Sequence, residues 1–202
     1  KLTGAYDYER ETYRNTNPVG PFNADTTRRA VRNDGVVGQY DLTLADRAGA
    51  GVAIRHDQNE RFRDATTYRV QGFYRLNDAL RLRGALGSGI KNPTQTQLFG
   101  YNAAAFPFVG NPNLKPERSQ GWEAGADWSL SQGKARLGAT WFDSTLHDEI
   151  YGVFGAPIAL CARPGLPVPT SCSTTGNQST KSTQKGLELF ANAALSDSVS
   201  AD

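Results

Sequence analysis

The sequence predicts an all-β protein, an antiparallel transmembrane β-barrel wall of about eight strands, and three observations carry that expectation. Apolar and polar residues alternate with period two in segment after segment. Tight turns alternate with long polar connections, so that one end of the sheet is trimmed and the other elaborated. The composition is also thin for a soluble core: of 202 residues only 38% are hydrophobic and Met is absent, while Gly reaches 21 and aromatics 10%. That balance disfavours a helical bundle. The longest apolar run, 103–109, is far short of the roughly 20 residues a spanning helix needs. With 22 basic against 20 acidic residues, the net charge of +2 lacks the positive field of a nucleic-acid binder.

Taken in chain order, the alternating segments are 2–11, 36–45, 51–57, 68–75, 80–86, 122–130, 135–145 and 187–195. Tyr68, Val70, Gly72 and Tyr74 share one face, against Arg69, Gln71, Phe73 and Arg75 on the other. Leu80, Leu82, Gly84 and Leu86 oppose Arg81, Arg83 and Ala85; Trp122, Ala124, Ala126, Trp128 and Leu130 oppose Glu123, Gly125, Asp127 and Ser129. Leu187, Leu189, Ala191, Ala193 and Leu195 oppose Glu188, Phe190 and Asn192. Short turns are expected at 46–49, 77–79, 131–134 and 196–198, and long connections at 12–34, 58–66, 88–115 and 146–182. Compact soluble domains seldom carry several such loops, whereas outer-membrane barrels have short periplasmic turns and long extracellular loops. A soluble sandwich or lipocalin-like barrel, with its apolar face inward, is the competing architecture. Arg at mid-bilayer on the lipid side costs roughly 2–4 kcal/mol, so Arg81 and Arg83 are expected to face the lumen. Tyr6, Tyr8, Tyr40, Tyr68, Tyr74, Trp122, Trp128 and Trp141 then face lipid.

Two stretches go beyond pattern. Ser88-Gly89-Ile90-Lys91-Asn92-Pro93, followed by Gln97-Leu98-Phe99, leads to Gly110-Asn111-Pro112-Asn113-Leu114-Lys115-Pro116-Glu117-Arg118-Ser119. Pro112 and Pro116 fix φ and hold the residues before them extended, making a stiff lead-in to the next strand. These stretches resemble the paired signatures that flank a long extracellular loop in TonB-dependent outer-membrane receptors, with Asn92, Pro93, Gly110, Asn111, Pro112, Leu114, Pro116 and Glu117 as the motif positions. Trp141-Phe142-Asp143-Ser144 with Asp148-Glu149-Ile150-Tyr151, and Lys185-Gly186-Leu187-Glu188-Leu189, continue the resemblance in order. Arg32-Asn33-Asp34-Gly35-Val36-Val37-Gly38 and the Tyr74-to-Leu86 hairpin look most like the cobalamin receptor branch.

The resemblance implies a barrel of about 22 strands, closed by an N-terminal plug. It implies an active transport receptor in the bacterial outer membrane that takes up a scarce nutrient with TonB-derived energy, cobalamin or a related corrinoid, with a siderophore or haem as the alternative. Residues 1–202 are then expected to be a partial barrel domain, with the plug and the terminal strands outside them; a closed eight-stranded barrel is the lesser architecture. The implied partners are outer-membrane lipid, TonB through the plug, and a small-molecule nutrient, with a monomeric barrel and no nucleic acid.

No catalytic constellation is present, so the expectation is a receptor and not an enzyme, without cofactor or metal. His56 and His147 sit in no spaced ligand motif, and Gly87-Ser88-Gly89 is followed by neither Lys-Ser/Thr nor a helix. Binding is expected in the outer loops, where Phe99, Tyr101, Phe106, Phe108 and Asn111 form an aromatic, nearly uncharged stretch suited to an apolar or conjugated ligand or to packing onto a neighbouring loop. Arg28, Arg29 and Arg32 form a basic cluster suited to solvent, anionic lipopolysaccharide or an anionic ligand. Cys161 and Cys172 enclose a loop with Pro164, Pro167 and Pro169; a disulfide there suits a cell-surface compartment and stabilises the loop by roughly 3 kcal/mol.

Overall fold

The structure is a computed structural model, and it describes residues 1–15, 27–100, 108–130, 134–156, 172–196 and 199–201. The chain runs β1 (Leu2–Tyr13), β2 (Arg29–Leu44), β3 (Ala48–Asn59), β4 (Ala65–Arg75), β5 (Leu80–Lys91), α1 (Gln95–Phe99), β6 (Glu117–Leu130), β7 (Ala135–His147), β8 (Ile150–Ala156), β9 (Cys172–Asn177), β10 (Ser182–Ser196) and β11 (Val199–Ala201). Nine strands form one antiparallel meander, β1-β2-β3-β4-β5-β6-β7-β10-β11, while β8 and β9 pair separately. All eight predicted strands are present, each longer toward the loop end than its alternation suggested. The two edges of the meander do not meet, so within this chain the barrel is an open arc.

Register sorts the faces as the alternation requires. One hydrogen-bonded row carries Tyr40, Val52, Val70, Leu86 and Trp122 on a single side of β2 to β6. All eight predicted lipid-facing rings are exposed on that side, from Tyr68 at 41% to Tyr6 at 62%. In a soluble protein so much contiguous apolar surface would be uncovered; in a barrel it is the lipid face.

The apolar band also slants across the sheet. Going up each strand, the first polar residue on this face is Arg10, Asp34, His56, Thr66, Ser88, Gln120, Asp143 and Lys185, on β1 to β7 and β10 in turn. Measured from the row through Tyr40 and Trp122, this boundary falls from eight residues at Arg10 to none at Lys185 over seven strand steps. A slip of about one residue per strand, ~3.3 Å along for ~4.8 Å across, is a tilt of roughly 35°, the value strands need to close a barrel. The band therefore runs level in a membrane once the strands are tilted.

The opposite, luminal face is polar and internally paired. Arg83 donates to Asp127 at 3.2 Å and to the Thr140 hydroxyl at 2.5 Å, and Arg81 stacks on Phe73 at 4.3 Å. Arg55 bonds Asp57 at 2.7 Å and also Asp7. Three luminal phenylalanines lie flat on glycines directly across the ladder, Phe73 on Gly49, Phe142 on Gly186 and Phe190 on Gly138, where any Cβ would meet the ring.

Candidate functional site

Among the described residues, every buried side chain except Thr140 lies above the wall, where the 92–117 connection meets the β8–β9 hairpin. Local chemistry shapes the first part. Pro93 and Thr94 open α1, and a capping box joins Thr94 and Gln97: the Thr94 hydroxyl accepts from the Gln97 N–H and the Gln97 side chain accepts from the Thr94 N–H. Leu98, 1% exposed, anchors this turn. Gly110 crosses α1 so closely that an added Cβ would stand 2.3–2.4 Å from the Phe99 and Gly100 backbone, which only glycine permits.

The second motif clamps this turn to the hairpin. The Asn111 N–H donates to the Gln97 carbonyl at 2.8 Å and its Nδ2 to the Thr175 carbonyl at 2.9 Å, while its Oδ1 accepts from the Asn113 N–H. Val109 and Thr174 exchange bonds with the facing chain: Val109 N–H to the Ser173 carbonyl, and the Thr174 hydroxyl to the Val109 carbonyl at 2.7 Å. Asn177 receives the Lys115 N–H and donates to the carbonyls of Lys115 and Asp148. Val109, Ala156 and Cys172 form the apolar centre with Val153 against them.

Glu117, 7% exposed, accepts from the Ile150 N–H at 2.7 Å and pairs with Lys91 at 2.9 Å. Burial pushes its carboxyl up, but the Ile150 N–H and Lys91 outweigh it and hold the group below the usual carboxylate range. One side chain thus ties the ends of β5, β6 and β8.

A mouth pocket lies on the luminal side beneath α1. Glu9, Glu11, Asn33, Asn59, Asn92, Thr94 and Gln95 supply its polar lining around a cavity of about 270 Å³. Gln95 is 4% exposed; its Nε2 donates to Glu11 at 3.3 Å, and its Oε1 is buried without a hydrogen-bond partner. Val31, Phe62 and Pro93 supply the pocket's apolar lining. Phe99, outside that lining, has the guanidinium of Arg29 4.2 Å and that of Arg61 5.0 Å from its ring and Tyr13 beside it.

The predicted site residues are therefore divided. Phe99 is half-buried at the end of α1, where Arg29 of the basic cluster reaches it, while Arg32 is on the lipid side of β2. Phe108 bridges to Ser173 beside the hub, and Tyr101 and Phe106 lie outside the described residues. Asn111, expected to face ligand, spends its amide inside the clamp, a structural role. Asn92 lines the mouth pocket, while Pro93, Gly110, Leu114 and Glu117 are buried in the hub connection, with Pro112 and Pro116 between them in sequence. Cys172 is fully buried there and no described cysteine is free; Cys161 lies outside the described residues. The pocket residues Glu9, Glu11, Asn33, Asn59 and Gln95 were not singled out by sequence, because their common face appears only once the strands are in register.

The profile of the family described as TonB dependent receptor-like, beta-barrel, matches residues 1–201. The chain belongs to this family. Its place is accordingly the bacterial outer membrane. It is 30% identical over 86 residues, 39% of its length, to the vitamin B12 transporter BtuB of Photobacterium profundum, of which that stretch is 13%. Among solved structures it superposes on the siderophore receptor PirA of Pseudomonas aeruginosa with a TM-score of 0.76 at 17% identity, covering 98% of this chain and 34% of that one. On the hemophore receptor HasR of Serratia marcescens the TM-score is 0.66 at 14% identity, covering 96% and 39%. The chain thus spans about a third of these solved receptors, which share its fold.

Proposed function

We propose that this TonB-dependent receptor barrel binds a scarce nutrient at the cell surface and imports it with energy delivered by TonB through a plug domain, and that the nutrient is a corrinoid such as cobalamin. The observation that carries the substrate is the mouth pocket, lined by four side-chain amides and two carboxylates with no basic group. A corrinoid is fringed by neutral amides, which pair donor to acceptor with Asn33, Asn59, Asn92 and Gln95. Glu9 and Glu11 would repel a polyanionic ferric catecholate. Val31, Phe62 and Pro93 supply the apolar edge of the site, and the stretch shared with the B12 transporter supports the same choice.

A second reading, an anionic iron siderophore, is favoured by one observation: Arg29 and Arg61 converge on the Phe99 ring. Titrating the full-length receptor with cyanocobalamin and with a ferric catecholate separates the two. The corrinoid reading expects cobalamin binding that weakens about tenfold in Gln95→Ala and is little changed in the double variant Arg29→Gln/Arg61→Gln. The siderophore reading expects the reverse. Indifference to both compounds would sink the substrate assignment.

A further inference from the structure

A second chamber of about 190 Å³ adjoins the mouth pocket on the luminal side, and Asn33, Asn59 and Asn92 line both. The two differ in charge. Glu9 and Glu11 line the mouth pocket alone, whereas the chamber holds two guanidiniums, Arg55 and Arg63, against one carboxylate, Asp57. Arg55 is already engaged: its Nε and Nη2 donate to the two oxygens of Asp57 at 2.8 and 2.7 Å, and its Nη1 pairs with Asp7. Asn33 donates to Asp57 at 3.0 Å and Asn59 to Asn33 at 3.1 Å, which fixes this side of the chamber. Arg63 is left over. It stands in the 60–64 connection between β3 and β4, exposed, and makes no ion pair, hydrogen bond or ring contact among the described residues. The turn that carries it is set by the same wall, since the Asn59 Oδ1 accepts from the N–H groups of Arg61 and Phe62 at 2.9 and 3.1 Å. A guanidinium placed beside a cavity with no carboxylate of its own keeps its forked donors for an incoming oxyanion.

We infer, resting on the corrinoid reading above, that this chamber takes the phosphodiester of a complete corrinoid, and that Arg63 distinguishes a nucleotide-bearing corrinoid from one without its nucleotide. The two cavities match the two chemistries of such a molecule. Its ring is fringed by neutral amides, and a short aminopropanol link ties one of those side chains to a phosphodiester with a single negative charge. When the amides engage the shared asparagines, that link keeps the phosphate near them, and the chamber is the adjoining space with a cation to spare. A phosphodiester turned into the mouth pocket would instead face Glu9 and Glu11. Asp57 does not oppose it in the chamber, because both of its oxygens are held by Arg55. Arg29 and Arg61, gathered on Phe99, line neither cavity and take no part.

The test titrates full-length receptor in detergent with cyanocobalamin, with dicyanocobinamide and with the phosphate ester of dicyanocobinamide. The second keeps the amide fringe and lacks phosphate, ribose and base; the third restores a phosphate without the nucleoside. Arg63→Gln is expected to weaken cyanocobalamin and the phosphate ester about tenfold each. The same variant should leave dicyanocobinamide within about twofold of wild type, which also shows that it is folded. Arg63→Lys, which keeps the charge, should recover part of the loss. An equal loss of all three probes in Arg63→Gln, or no loss of any, overturns the assignment. A loss confined to cyanocobalamin overturns it too, because Arg63 would then be reading the nucleoside. Wild type that binds dicyanocobinamide as tightly as its phosphate ester and cyanocobalamin fails the chamber alone. Wild type that binds none of the three fails the corrinoid reading itself, and the chamber assignment with it.

Discussion

The wall and the loop hub above it are built on opposite principles. Below its joint with the hub at Glu117, the wall buries almost no side chain: among the described residues Thr140 is its one buried polar group, and its apolar residues stay open to one side. It is held by the backbone ladder, and its alternation anticipates a second solvent. The hub is a miniature water-soluble core, with Leu98, Val109, Leu114, Ala156 and Cys172 all 4% exposed or less. Its polar groups are paired across chain segments far apart in sequence. The difference teaches that the proline-and-asparagine motif at the loop is built as scaffold, its Asn111 amide and its prolines serving the hub.

If that division holds, the largest effect belongs to the hub. Leu98→Ala empties the most enclosed aliphatic site and should destabilise the 92–117 connection and the β8–β9 hairpin together by about 2–5 kcal/mol. Hydrogen exchange of the full-length receptor should show both segments losing protection while the β2 to β5 ladders keep theirs. Loss confined to one segment would break the hub into independent loops. Next comes a charge on the wall. Val70 sits midway between Thr66 and Tyr74 on the lipid face, so Val70→Arg should cost about 2–4 kcal/mol. Gln71→Arg, one residue on and facing the lumen, should cost less than about 1 kcal/mol. Urea unfolding of receptor reconstituted in lipid compares the two, and equal costs would contradict the assigned faces.

A bridge between Cys161 and Cys172 is proposed to staple the hub. It should contribute up to about 3 kcal/mol, and protein isolated without reductant should show no alkylatable thiol. Two reactive thiols in such a sample would remove the bridge.

These effects also mark what was legible in the chain. Period two exposed eight of the nine wall strands, because Trp122 to Leu130 and its counterparts repeat their chemistry on one face; the three residues of β11 are too few to show a period. It missed β8 and β9, since Cys172-Ser173-Thr174-Thr175 has no alternation and all four residues are buried, with the Thr174 hydroxyl serving a distant carbonyl. The helix α1 was readable in principle from Thr94 and Gln97 at capping-box spacing, a local signal overshadowed by the prolines around it. The mouth pocket was not readable, because Glu9, Asn33, Asn59 and Gln95 come from four elements whose meeting depends on register and on the placement of α1.

The smallest effect tests the joint between the two regions. Glu117 stands at the end of β6, three residues above the lipid boundary at Gln120, and receives the Ile150 N–H from the hub and Lys91 from the wall. Its folded carboxyl titrates below the ordinary value of 4.5. Its contribution is therefore complete above about pH 4.5 and is lost as the pH falls from there through the lower folded value. Glu117→Gln keeps an acceptor for Ile150 but loses the charge, and should cost on the order of 1 kcal/mol at pH 7. Exchange protection of β8, corrected for intrinsic rate, should fall between pH 5 and pH 3 in wild type and stay level in the variant. An equal fall in both would mean that wall and hub are joined through Asn177 and the backbone, with Glu117 a bystander.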